Sequence, residues 1–190
     1  MTCPRCGKAL KKTLIKDYPY RESGLGNVYL QNIPTYQCEC GEKLVQIPAI
    51  DRLHDAIAYN LLKKPSLLTG AEFRFLRKWV GLTANQLAAL LGIKTRISVS
   101  RWENGKAPLT ASTDHAMRLL VMRLKEEALH QRMFTEIEIQ EHFERMAGKP
   151  GKPVRMTISK EMLDRLPFPA QPVATAEWDS PEDHAAFSDL

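Results

Sequence analysis

Residues 82–106, LTANQLAALLGIKTRISVSRWENGK, constrain this chain more than any other stretch. Thr83 is placed to N-cap a helix, and Gln86 three residues on reaches back to complete a capping box. Leu87, Leu90 and Leu91 then form an apolar face, with Ala88 allowing close approach. Gly92 supplies the stop. A second helix over about 95–103 puts Val99 and Trp102 on one face and Arg96, Ile97, Ser100 and Arg101 on others, before Asn104-Gly105 ends it. One side of this unit is core and the other is basic.

A helix-turn-helix asks for that division, because its second helix offers long donor-bearing side chains to the major groove while its back packs on the bundle. Arginine fits guanine edges bidentately and isoleucine meets a thymine methyl. The candidate DNA contacts are Gln86, Lys94, Thr95, Arg96, Ile97, Ser98, Ser100, Arg101, Asn104 and Lys106. An ordinary helical hairpin with a solvated basic face is the alternative reading of the same residues. Residues 82–91 and the V-S-R-W-E-N-G-K ending resemble the helix-turn-helix of the Cro-repressor (XRE) family. Between Gly92 and Trp102 the chain is one residue longer than that family's pattern, which alters the turn or the start of the reading helix.

The formal charge of +5 is unevenly spread over the 190 residues. After Arg165 there is no Lys or Arg, while Glu177, Asp179, Glu182, Asp183 and Asp189 follow. Residues 70–125 carry ten Lys or Arg against three acids, a net +7 around the helix-turn-helix. Double-stranded DNA is the economical partner for such a face. No apolar run approaches the ~20 residues of a membrane span, and the N-terminus lacks the apolar core of a secretory signal, so a cytoplasmic protein is expected. In that reducing compartment, two close cysteine pairs read as metal ligands rather than disulfides.

Cys3-Pro-Arg-Cys6-Gly7 and Cys38-Glu-Cys40-Gly41 are two knuckles that aim backbone amides at thiolates. Together Cys3, Cys6, Cys38 and Cys40 make a closed tetrahedral site, one structural zinc per chain with no open position for catalysis. Short strands at Leu14-Ile15, Val28–Leu30, Thr35–Gln37 and Leu44–Ile47, broken by Pro19, Gly24, Gly26 and Pro34, complete a zinc ribbon whose core is too small to hold without metal. Four free thiols in a small sheet are the alternative.

Ile50, Leu53, Ile57 and Leu61 predict a linking helix from Pro48, with Lys63-Lys64-Pro65-Ser66 as a hinge and His54 as a surface or boundary residue. Thr69 and Glu72 form a capping box for the next helix, on which Arg74, Arg77 and Lys78 are expected in solvent. Thr110 or Ser112 caps a long helix whose stripe of Met117, Leu120, Val121, Leu124 and Ala128 serves either a dimer or the chain's own C-terminal segment. A capping box at Thr135–Glu138 starts a helix ending at Gly148. Lys149–Pro153 is a turn, Val154, Met156 and Ile158 alternate as a strand, and Ser159 caps a short helix to Leu166. The strand is expected to pair with its copy in a second chain, making residues 113–166 part of a dimer interface. From Pro167 the composition reads as disordered, with Trp178 and Phe187 either a partner motif or idle. The expected organisation is α+β: zinc ribbon 1–47, linker helix 48–68, all-α helix-turn-helix domain 69–132, helix/strand extension 133–166 and acidic tail 167–190.

With the ribbon of Cys3/Cys6/Cys38/Cys40, a linker helix and the XRE unit, residues 1–125 resemble MqsA-type (YgiT-type) antitoxins. The resemblance implies a two-domain regulator whose zinc domain holds a ribonuclease toxin. Its helix-turn-helix domain would dimerise on an inverted-repeat operator and repress its own operon, with Arg101, and Ser100 beside it, contacting DNA. The second knuckle departs from the pattern in being CxC, and residues 126–190 extend past the family's expected end. A stand-alone or phage-type repressor, or a zinc-ribbon adaptor whose helix-turn-helix binds protein, are the other readings, and the +7 argues against the last. No Gly-rich phosphate loop, HExxH or nucleophile elbow is present, so no enzyme is expected.

Overall fold

The computed structural model describes residues 1–47, 49–146 and 151–169. Strand β1 (Lys11–Pro19) and β2 (Val28–Gln37) form an antiparallel pair running from Lys11↔Gln37 to Pro19↔Tyr29. A short β3 (Lys43–Val45) adds to the other edge of β2 at Thr35↔Val45. Pro34 does not divide β2 as expected. The Gln46 N–H reaches the Pro34 carbonyl at 2.9 Å, so Pro34 closes the β2–β3 ladder and its missing N–H costs only the return bond. Asn32 sits at φ 54, and across it the buried positions change from Val28 and Leu30 to Ile33 and Thr35. One left-handed residue thus shifts the alternation by one place while the pairing with β1 continues.

Seven helices are described: α1 (Ile50–Leu62), α2 (Gly70–Trp79), α3 (Ala84–Leu90), α4 (Arg96–Glu103), α5 (Ala111–Leu129), α6 (Glu136–Met146) and α7 (Lys160–Asp164). Leu53, Ala56, Ile57, Ala58, Leu61 and Leu62 are all buried, so α1 is the central helix of the core, with α2 on one side and the sheet and α7 on others. His54 is correspondingly not at the surface. It is 5 % exposed, and its Nε2 lies 2.9 Å from Tyr20 Oη. Beside it Asp55 accepts the Trp79 indole N–H at 3.0 Å, while burial pushes the Asp55 carboxyl above its ordinary range.

The stretch expected to hinge is fastened. Arg118, fully buried on α5, donates to the carbonyls of Leu61 at 2.8 Å, Leu62 at 2.9 Å, Lys64 at 3.2 Å and Ser66 at 2.8 Å. Its Nε meets Asp114 at 2.8 Å, and Asp114 in turn accepts the Leu68 N–H at 2.6 Å. One guanidinium therefore satisfies carbonyls that the end of α1 leaves open. Lys64, also buried, pairs with Glu72 at 2.6 Å.

The C-terminal extension returns to the N-terminal sheet. Strand β4 (Met156–Ile158) lies parallel to β2 at Val28↔Met156, Tyr29↔Thr157 and Leu30↔Ile158. The expected pairing of this strand with its copy is therefore corrected: the open edge it needed is that of β2 beyond β3 in the same chain. Of the α5 stripe, Met117 and Val121 are buried in a core that includes Met122, Met133 and Phe134, while Leu120 and Leu124 are half-buried and Ala128 is exposed. Phe134 stacks on Tyr59 with centroids 5.3 Å apart. Residues 167–169, expected to be disordered, are placed: Phe168 is buried against Tyr59, and Arg52 donates to the carbonyls of Leu163, Leu166 and Phe168. Pro48, the helix end at Gly148, the start of the following turn, and the acidic stretch with Trp178 and Phe187 lie outside the described residues.

Candidate nucleic-acid interface and metal centre

The expected caps frame the α3–α4 unit. Thr83 Oγ1 accepts the Gln86 N–H at 3.2 Å, and Gln86 Oε1 accepts the Thr83 N–H at 2.8 Å. Gly92 takes φ 67 and the Ile93 N–H closes onto Ala88 O at 2.8 Å, the signature of a Schellman stop. After this stop α4 begins at Arg96, following an extended Thr95. Behind α4, Val99 is buried and Trp102 meets Phe73 edge-on at 6.1 Å. Arg77 grips Glu103 with Nε–Oε1 at 2.6 Å and Nη2–Oε2 at 3.1 Å, and donates to Leu82 O at 2.7 Å. Arg77, expected in solvent, is thus 2 % exposed and joins α2 to the far end of α4. Gly70 completes the seat, because a Cβ there would lie 2.2 Å from Trp102 O and 2.7 Å from Glu103 O.

These contacts decide the charge of the outward face. The three acids of residues 70–125 are each consumed in a buried pair: Glu72 with Lys64, Glu103 with Arg77 and Asp114 with Arg118. Lys94, Arg96, Arg101 and Lys106 are exposed and stand in no ion pair among the described residues. Ile97 is 61 % exposed and lies one turn before Arg101 on the same face. Ser98 and Ser100 are half-buried, and Thr95 is exposed with its hydroxyl making no cap bond. Two expected contacts are partly spent. Gln86 uses its carbonyl in the capping box and keeps only its amide NH2, while Asn104 Nδ2 turns back to Ser100 O at 2.9 Å.

At the other end, the Cys3 N–H reaches Lys8 O at 2.8 Å and the Cys38 N–H reaches Glu42 O at 2.9 Å, with Gly7 at φ 73 and Gly41 at φ 90 turning the knuckles. The sulfurs interleave: Cys3 Sγ lies 3.6 Å from Cys40 Sγ and Cys6 Sγ 3.4 Å from Cys38 Sγ, with all four within 4.8 Å of one another. A tetrahedral ion with metal–sulfur bonds of about 2.3 Å sets sulfurs about 3.8 Å apart, so the cluster could hold one with small adjustment. Burial raises the Cys3 thiol, but the Arg5 and Cys6 amides outweigh it and bring it to about 7. For Cys6 the Lys8 amide lowers the thiol, yet the neighbouring Cys38 and Cys40 sulfurs drive it up to about 12. Ionising all four thiols would set four like charges this close together, a state that a divalent ion between them would stabilise.

Residues 73–113 match the family described as helix-turn-helix. The match gives this segment the helix-turn-helix form and supports a DNA-binding role for it. It spans α2, α3, α4 and the start of α5, so the face bearing Ile97 and Arg101 is the outward face of the matched unit. A search of curated proteins found no match to the chain, and a search of solved structures found none either. No helix among the described residues is long and apolar enough to cross a membrane. The buried partners Arg77, Glu103, Gly70 and Arg118 were not legible as part of this unit. The one signal the sequence offered was that three acids sit among ten bases in residues 70–125.

Proposed function

We propose that this chain is a sequence-specific transcriptional repressor that reads an inverted-repeat operator as a homodimer through α4. The observation that carries this is a seated helix whose outward face offers Ile97, Arg101 and cations in no ion pair among the described residues, with the acids of residues 70–125 held in buried pairs. One reading helix touches only a few base pairs, and a second copy a helical turn away supplies the remaining specificity. The ion held by Cys3, Cys6, Cys38 and Cys40 is structural zinc, whose four thiolates leave no open position, and the chain acts by binding rather than catalysis. In its operon the chain serves as antitoxin and autorepressor of a type II toxin–antitoxin pair, with the toxin held by the ribbon; the support is the resemblance of residues 1–125.

Footprinting of the full chain on DNA from upstream of its own gene tests the reading. Two protected half-sites about 10 base pairs apart are expected. Uniform, sequence-independent protection would overturn it. A repressor without a toxin is the second reading, favoured by β4, which occupies the ribbon edge at Val28–Leu30 with the chain's own strand. Co-purification with the product of an adjacent small open reading frame decides between them.

A further inference from the structure

We propose that the acidic segment of residues 170–190 is a second ligand of the cationic helix-turn-helix face, competing there with DNA. The proposal rests on the DNA-binding reading above and adds a regulator of the same site. The face has cations to spare, because the acids of residues 70–125 are committed to buried pairs while Lys94, Arg96, Arg101 and Lys106 are exposed. The opposite surplus lies beyond Arg165, where Glu177, Asp179, Glu182, Asp183 and Asp189 follow without a single Lys or Arg.

The connection permits the meeting. Phe168 is anchored on Tyr59 and Arg52, and the Pro167 carbonyl accepts Gln131 Nε2 at 3.2 Å, just past the end of α5. From there α5 runs back over its 19 residues to Thr110, a few residues after α4. A helix of that length measures about 28 Å. The eight residues from Pro169 to Glu177 span at most about 26–29 Å, enough only to come level with the start of α5, whereas the twenty from Pro169 to Asp189 span up to about 66–72 Å and bring the later acids within reach of α4. A tethered ligand competes at an effective concentration on the order of millimolar, which lets individually weak exposed ion pairs hold the face in the absence of DNA. Random DNA, bound through its phosphates alone, is then excluded more than an operator that adds base contacts.

The test compares the full chain with a full-length variant carrying Glu177→Gln, Asp179→Asn, Glu182→Gln, Asp183→Asn and Asp189→Asn, by anisotropy on a random-sequence duplex over a salt series. The variant is expected to bind roughly tenfold tighter at about 50 mM salt, with the two converging by about 300 mM as ion pairs are screened. Equal affinity at low salt would overturn the competition and leave the DNA-binding reading standing; no DNA binding by either protein would sink both. The backbone amide resonances of residues 95–106 in the DNA-free chains distinguish contact from a general charge effect. They should differ between the two proteins, and identical resonances would place the acidic segment elsewhere and refute the proposal.

Discussion

Replacing Arg118 with Met removes one guanidinium and strands several groups at once. The carbonyls of Leu62, Lys64 and Ser66 lose the Arg118 donor, Leu61 O keeps the Lys64 N–H, and Asp114, fully buried, keeps the Leu68 N–H. Burial pulls the Arg118 ionisation below its usual value and Asp114 pushes it back, so the charge is held by its partner. Breaking a buried pair from one side costs about 3–5 kcal/mol, a large share of a total stability of roughly 5–15 kcal/mol. At about 2–4 °C per kcal/mol for a chain of this size, Tm should fall by roughly 6–20 °C. Urea melts followed by circular dichroism give the free energy directly. Asp114→Asn combined with Arg118→Met should cost less than the sum of the two single changes, since no charge is then left unpaired. A loss below about 1 kcal/mol for Arg118→Met would refute the assignment of the joint between α1 and α2 to this side chain.

Chelating the metal should expose the amides of the knuckles and β3 to exchange while those of Val28–Leu30 stay protected, because β4 and α1 hold that half of β2; loss of protection there would contradict the single continuous core. His142 is lowered from 6.5 to about 4, first by burial and then by Arg118 and Arg145, so the unfolded chain takes the proton before the folded one. Its contribution is fully present above about pH 6.5 and is lost as the pH falls towards about 4; a urea midpoint unchanged between pH 7 and 5, or unaffected in its pH slope by His142→Gln, would remove this cause. Gly70→Ala should weaken operator binding more than random-DNA binding, because a Cβ 2.2 Å from Trp102 O obliges α4 to shift; equal losses would mean that α4 keeps its place.

What the sequence made legible was local. Thr69, Thr83, Thr110, Thr135 and Ser159 cap helices as their spacing to the next turn implies, and Gly92 ends α3 where a left-handed residue is wanted. The four cysteines come together because each knuckle is a short-range turn. What escaped was long-range pairing of charged groups, for which solvent is the default expectation. Arg77 finds Glu103 26 residues away, and Arg118 caps α1 across 57 residues to Leu61. Neither distance leaves a pattern in composition or period. The three-residue β4 needs a partner strand, but the open edge of β2 that supplies it is visible only once Pro34 has limited β3 to the far half of that strand. Pro34 reads as a break in the sequence because the direction of its absent N–H is set by pairing rather than by sequence.

The most direct measurement is the affinity of Arg101→Ala for the footprinted operator and for random DNA of the same length, side by side with the unaltered chain. Arg101 is exposed on α4 and in no ion pair among the described residues, so its removal should leave the fold and the Arg77–Glu103 seat intact. Operator binding should weaken by about 1–3 kcal/mol, with discrimination relaxed at one position in each half-site, while random DNA changes little. Equal weakening on both DNAs, with no position relaxed, would contradict a base-reading α4.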